Sequence, residues 1–115
     1  MDASLAPPIT ATIVRNPAAV AAATEQLGPI DILVNSAGAA LRTAAEDLTP
    51  AAWHAAMDAK FFSYIHVIDP MVKRMAARGA GVIVNIIGQG GKVASPVHLA
   101  GGAANAALML ATAGL

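Results

Sequence analysis

Two short apolar runs constrain this chain more than anything else in it: Ile32-Leu33-Val34 within PIDILVNSAG, and Val82-Ile83-Val84 within GVIVNII. Each is too short for a helix and nearly continuous in apolar character. That is the pattern of a parallel strand covered on both faces. The segment between them reads as one long helix. Thr49-Pro50 supplies a capping hydroxyl followed by proline at the first helical position, and Gly79 closes the far end. Parallel neighbours need such a crossover. Upstream, Asn16-Pro17 repeats the start signal for a helix that stops at Gly28-Pro29, and TATIV (10–14) reads as a further short strand. Downstream, GQGGK makes a flexible turn, and a loop through Ser95-Pro96 leads to a last helix ending at Leu115. The expectation is one α/β domain over residues 1–115, a parallel sheet with helices on both faces.

Composition limits how such a sheet is packed and what it meets. Apolar residues make up 57% of the chain, but 29 of its residues are alanine, which buries little area each. The core must come from close packing around a few larger side chains. On the long helix Phe61, Ile65, Ile68, Val72 and Met75 form one stripe. Trp53, Met57, Tyr64, Val67 and Met71 form a second beside it. A helix apolar on two faces is usually buried on two sides, and here the sheet and a partner subunit are the expected covers. Pro70 is expected to kink it.

Seven basic and seven acidic residues leave no net charge and no run of either sign, which argues against a nucleic-acid surface. With no cysteine, disulfides and thiolate metal sites are excluded, and His54 and His66 lack a metal-ligand partner at suitable spacing. No signal peptide is visible in MDASLAPPITA. Residues 93–115 lack Asp, Glu, Lys and Arg, but Ser95, Pro96, His98 and Asn105 mark them as loop plus helix rather than a membrane span. A cytoplasmic protein is expected.

The last helix poses a puzzle. GGAANAALML opens with two glycines, each costing a helix about 1 kcal/mol relative to alanine, and its one polar side chain is Asn105. DILVNSAG, the Trp-bearing long helix, GVIVNI, a glycine loop and a helix containing NAAL stand in order at matching separations. From about Asn16 to Leu115 this set is similar to the short-chain dehydrogenase/reductase family. NSAG differs by one residue from that family's Asn-Asn-Ala-Gly. The resemblance implies a Rossmann-like, three-layer, doubly wound parallel sheet binding NAD or NADP. It also implies that this chain is a central segment only: the glycine-rich first βαβ portion and the C-terminal substrate portion are expected to be missing. TATIV would then lie beyond strands the chain lacks, and is expected to be disordered or rearranged.

By the same resemblance Asn35 supports the central sheet, and Asn35, Ser36, Ala37, Gly38 and Ile86 face the cofactor. The family's Tyr-x-x-x-Lys, the acid/base tyrosine and the ribose-holding lysine, falls on Gly101 and Asn105. Its serine falls on Gly88 and its supporting asparagine on Lys60. Trp53, Asn85 and Leu108 anchor that register. Glycine has no proton to give, so the expectation is a fragment of an NAD(P)-dependent oxidoreductase of the 3-oxoacyl reductase type with a degenerate catalytic set, inactive as given. Two other readings stand beside it: an interaction module associating through helix 50–78, and a silent dinucleotide-binding protein. His98, one turn before Gly101, is either a solvated or hydrogen-bonded loop residue or a replacement proton donor. Lys60 either holds a cofactor phosphate or snorkels from a packed helix.

Overall fold

A computed structural model describes residues 17–36 and 42–115; TATIV, Ala37 and Gly38 lie outside them. Helix α1 (Pro17–Leu27) leads into strand β1 (Ile32–Asn35). A short 3₁₀ turn (Ala45–Asp47) precedes one long helical body: α2 (Pro50–Ala56), a π-type turn (Met57–Phe62) and α3 (Ser63–Arg78). Strand β2 (Val82–Asn85), a second 3₁₀ turn (Gln89–Gly91) and α4 (Leu99–Gly114) complete the order. The strands pair in parallel, Ile32 opposite Val82 through Asn35 opposite Asn85. The predicted crossover is therefore present.

The terminal signals act as their chemistry requires. Thr49 Oγ1 accepts the Ala52 amide at 3.1 Å, satisfying one orphan donor at the start of α2. At the other end Gly79 adopts φ 71°, and the Ala80 amide returns to the Met75 carbonyl at 3.2 Å. This six-to-one bond over a left-handed residue ends the helix at Arg78. Gly79→Ala is expected to lower unfolding free energy by about 1 kcal/mol, because a Cβ disfavours the left-handed region; urea titration measures it. Helix α3 continues through Pro70, and the irregular turn of the long body lies upstream, at 57–62.

The core gathers on one face of the sheet. Val20 of α1 packs with Val67, Met71 and Met75 of α3, and Leu33 and Ile83 lie against them. Tyr64 and Ile68 pack with Leu108 of α4 against the same two strand residues. Both predicted stripes of the long helix contribute: Tyr64, Val67 and Met71 from one, Ile68 and Met75 from the other. Trp53, assigned to the second stripe, is 40% exposed.

The alternate strand residues point the other way. Ile32, Val34, Val82, Val84 and Ile86 are 44–63% exposed, so among the described residues helices cover one face and the other is bare. The doubly wound sheet is present as an incomplete piece with one helical layer. Apolar surface of this kind is ordinarily covered by further chain or by a partner.

Candidate functional site

The strand ends are tied together by a chain of amides and hydroxyls. Asn35, 8% exposed, donates through Nδ2 to Asn85 Oδ1 at 2.8 Å. Asn85 Nδ2 donates to Thr112 Oγ1 at 2.9 Å, and Thr112 donates to the Leu108 carbonyl at 2.7 Å. Asn35 is thus turned inward, joining β1 to β2, and through Asn85 the link reaches α4. Ser36 beside it and Ile86 at the end of β2 are exposed.

The second cluster forms where the glycine turn meets α4. The Gly88 amide donates to Asn105 Oδ1 at 3.0 Å, and Asn105 Nδ2 donates to the Gly101 carbonyl at 2.9 Å. Asn105 is 3% exposed, so its amide is buried between these two partners. The GQGG turn, expected to be flexible, is instead seated on the helix. A Cβ on Gly91 would lie 2.9 Å from the backbone of Asn105 and Ala106, closer than real contacts allow.

The two glycines near the start of α4 have separate explanations, a ring for Gly101 and a backbone carbonyl for Gly102. A Cβ on Gly101 would stand 2.5 Å from Cε1 and 2.7 Å from Nε2 of His98. A Cβ on Gly90 would stand 3.0 Å from Cδ2 of the same imidazole. Gly102 passes so near the Gly90 carbonyl oxygen that its Cβ would lie 2.8 Å away. The imidazole therefore occupies the place where a side chain at position 101 would begin. His98 is also the residue from which α4 starts, its carbonyl accepting the Gly102 amide at 2.8 Å. It is half-buried rather than solvated. Its Nδ1 is the one buried side-chain polar atom without a partner among the described residues. Such an orphan costs about 1–3 kcal/mol, which calls for an explanation.

Lys60 sits in the π-type turn, a helix irregularity that recurs at functional sites. Lys60 is half-buried, and its Nζ donates to Tyr64 Oη at 3.2 Å. Tyr64, 1% exposed, donates in turn to the Ile86 carbonyl at 2.7 Å. Lys60 thus reaches the end of β2 through the tyrosine one turn on. Asn105 bridges Gly88 and Gly101, while Lys60 is linked through Tyr64 only as far as Ile86, two residues before Gly88.

With Asn105 sealed and Gly101 bare, neither of these two positions offers a group for the nicotinamide ribose. Ser36 and Ile86, by contrast, present exposed positions at the carboxyl ends of β1 and β2, where open α/β sheets take ligands. His54 and His66 are exposed, and no group of three His, Cys, Asp or Glu that could hold a metal ion occurs among the described residues. No described helix is long and apolar enough to cross a membrane.

Sequence reasoning placed the altered positions but not the ring between them. The available signal was the glycine pattern itself. Gly90 and Gly101 both border one imidazole, and space cleared in a helix's first turn implies an occupant.

Known proteins match this arrangement over most of the chain. A family model described as short chain dehydrogenase matches residues 10–115. A D-threitol dehydrogenase of Mycolicibacterium smegmatis is 37% identical over 83 residues, covering 72% of this chain and 32% of that protein. An acetoacetyl-CoA reductase of Allochromatium vinosum is 40% identical over 63 residues, covering 55% and 26%. The crystal structure of a gluconate 5-dehydrogenase from Burkholderia cenocepacia, in complex with NADP and tartrate, superimposes with a TM-score of 0.79 at 33% identity. That match covers 85% of this chain and 38% of the other. The chain thus spans about a third of the length of the relatives just named. On its sequence and its backbone alike, the chain belongs to the short-chain dehydrogenase family.

Proposed function

We propose that this chain is the central part of an NAD(P)-dependent short-chain oxidoreductase of the 3-oxoacyl reductase type, and that these 115 residues alone do not transfer hydride. One observation carries the second half of that reading. Asn105, at the family's lysine position, is 3% exposed with both ends of its amide engaged, and Gly101, at the tyrosine position, has no side chain to offer. Neither the pKa-lowering cation nor the proton donor of the family's chemistry is available there.

The substrate class is supported by the cleft between the long helix and the start of α4. Leu48, Ala52, Ala56, Ala59 and Leu99 line it, with Thr43 and His98 as its polar side chains. A polyol would leave several hydroxyls unpaired against that wall, each at a cost of about 1–3 kcal/mol. A short acyl chain carrying one keto oxygen meets no such penalty. Family membership and cofactor use suggest a cytoplasmic location. The test is NADH or NADPH oxidation by the purified chain with acetoacetyl-CoA, followed at 340 nm. No decrease above the blank is expected. Sustained stoichiometric turnover would contradict the reading.

A second reading, an association module, is favoured by exposed apolar groups on the long helical body. Trp53 and Phe62 are each 40% exposed. Sedimentation equilibrium separates the two: self-association that Trp53→Ala and Phe62→Ala together abolish supports the module, and a monomer at all concentrations counts against it. A silent dinucleotide binder would instead show NADP binding without turnover. Isothermal titration with NADP detects that outcome.

A further inference from the structure

Three features meet at His98. A Cβ at either Gly90 or Gly101 would run into its ring. Its Nδ1 is buried without a partner, so no hydrogen bond within the described chain accounts for the ring's polarity. It also forms part of the wall of a cleft of about 110 Å³, whose other named lining includes Thr43, Leu48, Ala52, Ala56, Ala59 and Leu99. If the ring were only filler, an apolar side chain would fill the same space without an orphaned nitrogen.

We propose that His98 is the ligand-contacting polar residue of this cleft. Its imidazole, standing where a side chain at position 101 would begin, makes the hydrogen bond to the keto oxygen of a short 3-oxoacyl group. The inference rests on the substrate class argued above but not on hydride transfer. The geometry accounts for the division of labour: the alanine wall of the long helix takes the acyl carbons, and the imidazole takes the oxygen. Thr43 is held at the rim by the bond from its own amide to the Val97 carbonyl at 3.0 Å. That bond joins the segment before α2 to the segment before α4, fixing the two sides of the opening.

The probe is ethyl acetoacetate, titrated into ¹⁵N-labelled chain, with D-threitol as the comparison. Amide resonances and the His98 ring nitrogens are followed together. Saturable shifts at Thr43, Ala56 and Leu99 and at the ring nitrogens are expected with the ester and not with threitol. His98→Phe, which keeps a ring but removes both nitrogens, is expected to weaken binding at least fivefold. Should that variant fold poorly, the ring-nitrogen shifts of the unaltered protein decide alone. Shifts at the cleft amides without any at the ring, or undiminished binding by His98→Phe, would overturn the role of His98 and leave the substrate class standing. Equal shifts with threitol would overturn the substrate class. No shifts with either compound would overturn the cleft as a site, while the oxidation assay still judges the larger reading separately.

Discussion

Putting the family's residues back, Gly101→Tyr with Asn105→Lys, is expected to unfold this chain rather than to activate it. The tyrosine must enter at a point 2.5 Å from His98 Cε1, in a helix turn whose Gly101 is itself buried. Overpacking of this kind costs about 1–3 kcal/mol, occasionally more. The lysine removes the oxygen that accepts the Gly88 amide and the donor that reaches the Gly101 carbonyl. It also carries a charge to a position 3% exposed. Losing buried partners adds about 1–3 kcal/mol, and a charge without a counter-ion adds more. A combined loss on the order of 3–6 kcal/mol rivals the whole stability of a small domain. Far-UV circular dichroism and urea titration measure it. A variant as stable as the parent would mean that the joint between the glycine turn and α4 is not packed as described.

Leu108→Ala is expected to cost about 3 kcal/mol, within the 2–5 kcal/mol range for a fully buried leucine. Leu108 is 0% exposed and is the α4 residue that packs with Tyr64 and Ile68 over the sheet. With only a few large side chains in the core, neighbours have little means to close the gap. The same truncation at Leu110, 78% exposed two residues on, is expected to change stability by less than about 0.5 kcal/mol. Urea midpoints of the two variants, compared at equal slope, test the contrast.

Much of the architecture was readable because its signals are local. Thr49-Pro50 and Gly79 mark ends through hydroxyl capping and left-handed backbone, which depend on a few adjacent residues. The parallel pairing followed from two apolar runs with a helix between them. The bare sheet face was not readable, because Ile32, Val34, Val82, Val84 and Ile86 are as apolar as residues that are covered. Sequence records the need for a cover, not its presence in these residues.

At the site the division is similar. Register puts Gly88, Gly101 and Asn105 at the family's serine, tyrosine and lysine positions, and Asn105 bonds to both glycines. What Asn105 does there was hidden, since an asparagine that seals a joint and one that faces a ligand read alike. Sequence leaves His98 open between a loop residue and a replacement proton donor, because its ring's position depends on the backbone at a loop–helix junction, φ −143° and ψ 37°, which no short pattern specifies. For Lys60 sequence offers a phosphate holder or a side chain snorkelling from a packed helix. Its bond to Tyr64 spans four residues, the spacing of helix neighbours, and was open to sequence; that Tyr64 passes the link on to the Ile86 carbonyl, 22 residues away, was not.

The central claim is that His98 occupies the space of a side chain at position 101, and a double-mutant cycle tests it most directly. Gly101→Ala is measured by urea unfolding in the parent chain and in His98→Gly. With the ring present, the new methyl meets Cε1 and Nε2, and destabilisation is expected. With the ring removed, the same change is expected to stabilise by up to about 1 kcal/mol, the ordinary advantage of alanine over glycine inside a helix. A reversal of sign between the two backgrounds is the predicted result. An equal effect of Gly101→Ala in both would contradict the account, because the ring would then not stand where the side chain is missing.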